Sequence, residues 1–585
     1  MPSVLKYPEN DEGWEYQHVP KMTLGLNLSV RPEDIDPGEM LRADNVRFEK
    51  NQVLVDTGYK KFGQVLRGNV RFTFQFFLKD GSESLLAITN NTVYRWDGSA
   101  AQWKYISNGT STTLSAPEAS GQTVLSVTSE TGFAAGEHVG IILDDGTEHQ
   151  TTVASTAAGT ITVDDALPSA AASGNAVTEA VLLAGVDGTP VAVDVMVSQN
   201  WFVFTNDVDI PKRFDGLTCE DVPNLPGTNF KAGAVVVFRD HLLFINTEES
   251  GTAHPQRVRW SDTGDPTNWS TGNASFNDLV ESEDFAIAGF KLGPYLIIYK
   301  ERSIVRVEWV GLANELFNFT SVITGEGIAS VDSVVDLGDE HIFFGKANIY
   351  SFKGGFNIDP LGEKVFYRVF GSKGALNPSA SSRIQGVYIE ELDEIWFFYP
   401  AQSDTFPKNI LRYLVNEESW AERFFPTGLT GYGFYLLTDS VDWAGLVGDW
   451  SAQNFEWGSK TTLANTPTTQ LCLGTQVMEY DYLQTTDDGV AIAYLLETGD
   501  FYLPQYSIKL DYVEMSVKGS PEILYSVDGG QNFESLGVLS SSNDYRKVRL
   551  FQQVVARKIR FRIKGTDTAF GLEWFAFNYA VESEW

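Results

Sequence analysis

The sequence is poor in the residues that usually build metal centres and disulfide frameworks. Its 585 residues include two cysteines, Cys219 and Cys472, and six histidines that form no HxH or HExxH pair. Because zinc sites need clustered Cys and His ligands at short spacings, we expect no metal site and no other cofactor. The two cysteines allow one disulfide, but two free thiols are the simpler interpretation.

Long apolar runs and long helical patterns are also missing. The longest apolar runs, such as Tyr295–Tyr299, have the length of a strand, whereas a membrane helix needs about 20 apolar residues. The first residues show no basic stretch followed by an apolar run, so we expect no signal peptide and no membrane segment. No apolar periodicity of the helical type continues beyond about three turns. The predicted fold class is therefore all-β.

Basic residues are scarce, with 43 Lys and Arg against 77 Asp and Glu and a net charge of −34. Proteins that hold DNA on their surface need Lys and Arg for the phosphates, so this composition argues against DNA binding by the bulk surface. The imbalance is uneven. The stretch from Ile106 to Ile210 has no Lys or Arg, whereas Phe501–Trp585 has ten acids and ten bases.

The prominent positive feature is a recurring pair of aromatic-rich strands separated by a polar turn. Ser84–Gly98, Asn200–Gly216 and Glu340–Gly355 each read as a strand, a turn, a second strand and a terminal glycine. A repeat of about fifty residues built only from strands is typical of propeller blades. We therefore predict a β-propeller of about six or seven blades.

The spacing of these strand pairs also predicts the domain boundaries. The first interval is too long, and its excess is a stretch rich in Ala, Ser, Thr and Gly, which we interpret as an inserted small β domain at residues 112–182. The propeller then comprises residues 63–111 and 183–484. Beyond residue 485 the pattern changes to strict alternation, which predicts a C-terminal β-sandwich or jelly-roll domain at 485–585.

The first 62 residues are predicted to form an N-terminal arm. Asp36, with Pro37 next and Glu39 three residues after it, has the pattern of an N-cap and predicts a short helix. Val53–Val55 follows as a strand, and we expect it to help close the propeller ring.

No sequence motif predicts a catalytic site. GxSxG, the P-loop and a GxGxxG followed by a helix are all absent. The adjacent acids Asp144-Asp145, Asp164-Asp165 and Asp487-Asp488 stand beside glycines or at turns, where exposed turn residues are the simpler interpretation. Propeller hydrolases collect their carboxylates from several blades, so a carbohydrate-active hydrolase stays an alternative function.

One charged strand face is singled out near the C-terminus. Lys558, Arg560, Arg562 and Lys564 alternate with apolar residues, which predicts a strand with one cationic face and one buried face. This face could dock on an acidic neighbour, such as another copy of the same chain. An ordinary solvated sheet face is the competing interpretation.

Two stretches resemble a known family. The first runs from Gly25 to Gly58, and the second is VRWSDTGDPTNW at Val258–Trp269. Both resemble segments of the tail nozzle proteins of short-tailed bacteriophages, also called tail tubular protein B-like. The matching positions are Gly25, Asn27, Pro37, Gly38, Asn45, Trp260, Ser261, Asp265, Pro266 and Trp269, with Trp260 in place of the usual Tyr.

The resemblance implies a virion structural protein of the tail tube, with a β-propeller and six copies in a ring. It implies no catalytic activity and names as neighbours a tail adaptor ring, tail fibres or spikes, and the host surface. Double-stranded DNA would pass through the ring without being bound specifically, and an acidic lumen would let it slide. The alternatives are a carbohydrate-active propeller hydrolase and a glycan-binding tail adhesin that uses exposed tryptophans.

Overall fold

The computed structural model of the chain describes residue 5 and residues 13–312, 315–371, 374–390, 392–436, 467–481 and 484–584. Strands make up 55% of it and helices 3%, which confirms the predicted all-β class. The helical segments are Val197–Gln199, Gly362–Val365 and Pro378–Arg383, all 3₁₀, and the single-turn α1, Phe366–Val369. None of the helices in these ranges is long and apolar enough to cross a membrane.

The described residues contain seven units of four antiparallel strands, which we number along the chain. Unit 1 contains β6 Val70–Phe77, β7 Glu83–Thr89, β8 Val93–Asp97 and β9 Gln102–Tyr105. Unit 2 contains β16 Ala192–Met196, β17 Trp201–Thr205, β18 Lys212–Phe214 and β19 Cys219–Asp221. Unit 3 contains β20 Lys231–Phe238, β21 His241–Glu249, β22 Thr252–Trp260 and β23 Ser275–Asp278.

The later units have the same design. Unit 4 contains β24 Ala286–Leu292, β25 Tyr295–Lys300, β26 Ser303–Leu312 and β27 Glu315–Thr324. Unit 5 contains β28 Val334–Asp336, β29 His341–Phe344, β30 Ile349–Phe352 and β31 Asp359–Pro360. Unit 6 contains β32 Gln385–Ile389, β33 Glu394–Tyr399, β34 Asn409–Leu414 and β35 Ser419–Phe424. Unit 7 contains β36 Leu429–Leu436, β37 Pro467–Leu473 and β38 Gln476–Tyr480, with β5, Tyr59–Lys61, as its fourth strand.

The first strands of the units pack against one another. β16 contacts β20, β20 contacts β24, and β28 contacts β32. At the end of the series β36 pairs in parallel with β6, which places Tyr432 opposite Phe72. Their apolar side chains form shared cores between neighbouring units, since burial of apolar surface is the main favourable contribution to folding. The result is a β-propeller-like arrangement.

The strand that completes unit 7 is not the predicted one. β4, Gln52–Val55, is a strand as expected, but it pairs with β48, Gly571–Glu584, in the C-terminal region. The closing strand comes next in the chain, where β5 pairs with β38. Val53 and Val55 are buried with the C-terminal core, so their apolar side chains hold β4 there and leave β5 to finish the unit.

The predicted short helix at Asp36 is also wrong, because the chain makes turns there instead. Half of the capping interaction exists, since the Asp36 amide donates to Glu39 Oε2 at 3.1 Å. The helix cannot continue because β2, Met40–Asp44, begins directly after Glu39 and pairs with β41, Tyr494–Thr498. Strand pairing therefore takes the residues that a helix would need.

A six-stranded sheet with its own core lies between units 1 and 2, where we predicted an inserted domain. Its strands are β10 Ser107–Thr113, β11 Val124–Ser126, β12 His138–Ile142, β13 Glu148–Ala157, β14 Thr160–Val163 and β15 Ala176–Ala180. We call it the inserted module. It contacts unit 1 through Glu148, whose Oε2 accepts from the Tyr105 amide at 2.8 Å. Burial raises the pKa of Glu148 to about 7.

Two facing sheets form the C-terminal region, and the N-terminal arm contributes to both. The strands not yet given are β1 Trp14–Val19, β3 Val46–Glu49, β39 Thr486–Asp487, β40 Val490–Ala491, β42 Phe501–Tyr502, β43 Tyr506–Lys518, β44 Glu522–Ser526, β45 Glu534–Val538, β46 Arg546–Ala556 and β47 Lys558–Gly565. The first sheet has the order β3-β4-β48-β43-β46, with β1 also paired to β48. The second has the order β2-β41-β47-β44-β45 and continues into unit 6. Phe561 of the second sheet packs on Phe575 of the first, with ring centroids 4.9 Å apart.

Both cysteines are buried free thiols, as the simpler interpretation expected. Residues 437–466, which belong to the predicted propeller range 183–484, lie outside the described residues.

Candidate functional site

The first family-like stretch forms a junction between unit 6 and the C-terminal sheets. Gly25 has φ +76°, and a Cβ there would lie 2.6 Å from the Trp420 carbonyl oxygen. The Leu26 amide donates to that same carbonyl at 2.8 Å. Only glycine combines this backbone conformation with so close an approach. Gly25 thus fixes the N-terminal arm against β35.

Asn27 and Gly38 shape the turn that follows. Asn27 Nδ2 donates to Glu39 Oε2 at 2.7 Å, and both side chains are buried. Gly38 follows Pro37 and lies so close to the Lys21 carbonyl that a Cβ would sit 2.2 Å from its oxygen. These contacts join three parts of the arm and contain no free functional group.

Asn45 ties the arm to two sheets at once. It adopts φ 55°, and its Nδ2 donates to the Ala493 carbonyl at 2.6 Å. Its Oδ1 accepts from the Phe424 amide at 2.8 Å. Because an asparagine can donate and accept simultaneously and tolerates positive φ, one side chain connects unit 6 with the C-terminal region.

The second family-like stretch is the connection between β22 and β23. Trp260 and Trp269 are both buried; Trp260 Nε1 donates to the Asn273 carbonyl at 2.8 Å, and Trp269 stacks on Phe244 at 5.3 Å. Ser261 Oγ accepts from the Leu242 amide at 3.0 Å. The loop is therefore anchored in the core of unit 3.

The tip of this loop is held by aspartates. Asp265, which precedes Pro266, accepts from the Thr267 amide and hydroxyl at 3.0 and 2.6 Å. Asp262 accepts from the Asn273 amide at 2.8 Å, and that bond lowers its pKa. No group of three or more metal-ligating side chains occurs in the described part of the chain.

A buried ion network, which the sequence did not predict, lies where the N-terminal arm crosses unit 6. We expected one of its members, Asp487, to be exposed in a turn; this is wrong, because Asp487 is buried on β39 and faces Arg423. Arg412 Nη1 and Arg423 Nε approach Asp56 at 3.1 and 3.2 Å, and Arg423 Nη2 approaches Asp487 at 2.6 Å. Burial acts to raise the pKa of Asp56, but the two guanidinium groups hold it below the ordinary value. Burial raises the pKa of Asp487 to about 6 against the opposing effect of Arg423.

The cationic face predicted on β47 is present and is paired within the chain. Arg560 contacts Glu497 at 2.9 Å and Asp500 at 2.8 Å, while Arg562 contacts Glu497 at 2.6 Å. At the two ends of the strand, Lys558 approaches Glu33 at 3.1 Å and Asp500 at 2.9 Å, and Lys564 approaches Glu522 at 3.2 Å. Docking by these four residues stays a prediction. The ion pairs within the chain are another reason why basic residues alternate with apolar ones on this strand.

A cavity of about 280 Å³ lies among the first strands of the units, and we call it the axial cavity. Its lining includes Phe72, Val193, Val235, Phe290, Asp332 and Tyr432. Asp194, another lining residue, is paired with Lys291 at 3.1 Å. Asp332 is half-buried, and its loss of hydration raises its pKa to about 6 while Arg71 opposes the rise.

Arg71 is the unusual basic residue of this region. It is buried on β6, and its Nε and Nη1 have no hydrogen-bond partner among the described residues. Burial lowers its pKa, partly compensated by Asp332. A carboxylic acid with a pKa near 6 can exchange a proton near neutral pH, so Asp332 is the candidate for acid–base chemistry. A lone arginine in the apolar strand VRFTFQFF was the only sequence signal for this cluster.

Comparisons with known proteins give only distant structural matches. No family model and no curated protein matches the chain. Among solved structures, the computationally designed Ika8 protein matches with a TM-score of 0.32 and 9% identity over 72% of this chain and 99% of that chain. PorZ of Porphyromonas gingivalis matches with a TM-score of 0.31 and 8% identity, over 82% of this chain and 46% of that chain. Regucalcin of Agrobacterium tumefaciens matches with a TM-score of 0.27 and 12% identity, over 50% of this chain and 89% of that chain. These distant matches are β-propeller proteins.

Proposed function

We propose that this chain is a virion structural protein without catalytic activity, the tail nozzle of a short-tailed bacteriophage. Six copies form the distal tail tube, with a tail adaptor ring and tail fibres or spikes as neighbours and the host surface beyond. Genomic double-stranded DNA leaves the particle through this tube. The proposal includes a closed ring of seven blades, supported by the parallel pairing of β36 with β6 and by β5 as the fourth strand of unit 7.

The observation that carries the proposal is the structural use of the family-like residues. Gly25, Asn27, Gly38 and Asn45 join the arm, unit 6 and the C-terminal sheets. Trp260 and Trp269 anchor a loop in the core of unit 3. Residues that shape a scaffold rather than a reaction centre are what a tube-building protein needs.

The charge of the chain supports passage of DNA rather than binding. With 77 acids against 43 bases, each copy of the chain brings a net charge of −34 to the ring. Like charge keeps phosphates from binding, so that DNA slides through the channel.

Cryo-electron microscopy of the concentrated chain tests the proposal. We expect rings of six 64.8 kDa chains around an open channel whose wall carries mostly acidic and neutral side chains. A stable monomer, or a channel wall of mostly Lys and Arg, contradicts it.

A carbohydrate-active hydrolase or glycan-binding adhesin is the second candidate. The hydrolase is favoured by one observation, the position of Asp332 in the lining of the axial cavity, with its raised pKa and Arg71 nearby. For the adhesin, Trp309 is an exposed tryptophan, with 51% of its surface accessible. If polysaccharide is cleaved by the wild-type chain and not by Asp332→Asn, the hydrolase replaces the nozzle.

A further inference from the structure

The edge of the C-terminal sandwich is unusually open. β46 is 11 residues long and pairs only with β43 in the described part of the chain. Its stretch Leu550–Ala556, LFQQVVA, has no charged residue and no proline. Native proteins normally protect such edges with Lys, Pro, bulges or a covering element, because an open apolar edge associates with other chains. Lys547 and Arg549 protect the first half of β46 in this way, so the uncharged half, Leu550–Ala556, is the part that we expect to be covered.

Apolar side chains are exposed on both faces of this edge. Phe551 and Val555 are 69% and 49% exposed on the outer face, and Val538 of the adjacent β45 is 69% exposed. Leu550 and Val554 point toward the core but are only partly buried. Scattered exposed apolar residues are ordinary, but a cluster along one unpaired edge marks a contact surface.

The charges around the edge indicate what covers it. From Arg546 to Lys564 the sequence has eight bases and no acid. Six of these bases share five internal carboxylates, namely Glu33, Glu497, Asp500, Glu514 and Glu522. On β46 itself, the exposed Lys547 and Arg549 share a single buried carboxylate, Glu514, so this edge carries more bases than acids within a chain of net charge −34.

The complementary surface is on the same chain. The stretch Ile106–Ile210, which contains the inserted module, has thirteen acids and no base. Asp144, Asp145, Asp164 and Asp165 of the module are exposed. A positive patch and a negative patch on one chain satisfy each other between copies, and two different surfaces in contact generate a head-to-tail ring when the rotation closes.

We propose that the β46 edge, with the rim of β45, is the surface through which one copy of this chain binds the next, its cations facing the inserted module of that next copy. This deepens the proposed function and rests on it, because a tube requires several copies. The apolar edge supplies the buried area, and the opposite charges set the orientation.

Sedimentation of the full chain tests the contact. The edge variant Phe551→Lys with Val555→Lys should raise the concentration for half-assembly by about tenfold or more, because buried aromatic anchors dominate interfaces. The matched control is Phe356→Lys, which changes a phenylalanine of the same 69% exposure elsewhere. Melting temperatures of the diluted monomers should agree, which shows that the variants fold.

The inserted module is tested in the same way with the double variant Asp145→Lys and Asp164→Lys. The control is the double variant Glu281→Lys and Glu283→Lys, which makes the same change of charge at two exposed acids elsewhere. We expect the module variant to weaken assembly and the control to leave it unchanged. Assembly unaffected by either the edge or the module variant overturns the contact while leaving the nozzle proposal intact. Assembly that needs β46 but lacks sixfold rings supports the contact and contradicts the nozzle; a monomeric wild type overturns both.

Discussion

Asp56 and Arg412 are 356 residues apart in the sequence, yet their side chains meet at 3.1 Å in a fully buried ion pair. Asp56 lies between β4, which belongs to the C-terminal region, and β5, which completes unit 7. The pair therefore holds the arm where it passes from one part of the fold to the other.

Removing this carboxylate should destabilise the protein strongly. Asp56→Ala leaves Arg412 and Arg423 buried with fewer counter-charges, which costs about 3–5 kcal/mol in the free energy of unfolding. Urea unfolding measures it. The control Asp34→Ala removes the exposed partner of Arg31, 3.9 Å away, and should change stability by less than about 0.5 kcal/mol. Equal effects from the two variants would refute a structural role for the buried pair.

Mildly acidic solution should stabilise the fold. Burial raises the pKa of Asp44, Asp332 and Asp487 to about 6 and of Glu148 to about 7. Groups with a higher pKa in the folded state bind protons more tightly there, so these four carboxyls add stability as the pH falls from 7.5 to 5.5. His138 and His341, whose pKa burial lowers, act in the opposite direction, but the carboxyls outnumber them. Asp332→Asn should reduce this gain in stability by about 1 kcal/mol. Melting temperatures at the two pH values provide the check, and a lower value at pH 5.5 contradicts the assignment.

Glycine at position 25 should be irreplaceable for two separable reasons. Gly25→Ala introduces both positive-φ strain and a Cβ 2.6 Å from the Trp420 carbonyl oxygen. Gly81→Ala introduces the strain alone, because φ is +85° and nothing lies within 4 Å. We expect a cost of about 1 kcal/mol at Gly81 and about 1–3 kcal/mol more at Gly25. Equal losses in thermal or urea unfolding would mean that the arm moves away from β35.

The two cysteines should be unreactive in the folded protein. Burial raises the pKa of Cys219 to about 12 and that of Cys472 further still, so neither forms the reactive thiolate near neutral pH. A thiol reagent monitored by absorbance should modify fewer than one group per native chain and two after denaturation. Rapid reaction of a native thiol would contradict the burial of that residue.

Periodic features were predictable, and contacts between distant residues were not. The strand pairs, the strand at Val53–Val55 and the alternation at Lys558–Lys564 follow from local patterns and occur as expected. The prediction of a helix at Asp36 was wrong because the residues after Glu39 pair with β41 as strand β2. The predicted closing strand was wrong because the true one, Tyr59–Lys61, has no strong apolar pattern and becomes a strand through its pairing with β38.

The candidate sites show the same division. The junction role of Asn45 depends on Phe424 and Ala493, which only the folded chain brings together. Asp332 acquires its raised pKa from enclosure by the first strands of several units. Both relationships join residues that are far apart in the sequence, so no short sequence motif indicates either of them.

The ends of the inserted module meet, since Ser107 on β10 lies opposite Ala180 on β15. The module also has its own core, separate from those of the units. A segment that enters and leaves the fold through neighbouring residues can be exchanged for another domain without changing the path of the strands on either side of it. The same geometry makes the module a suitable position at which to insert and display a foreign domain.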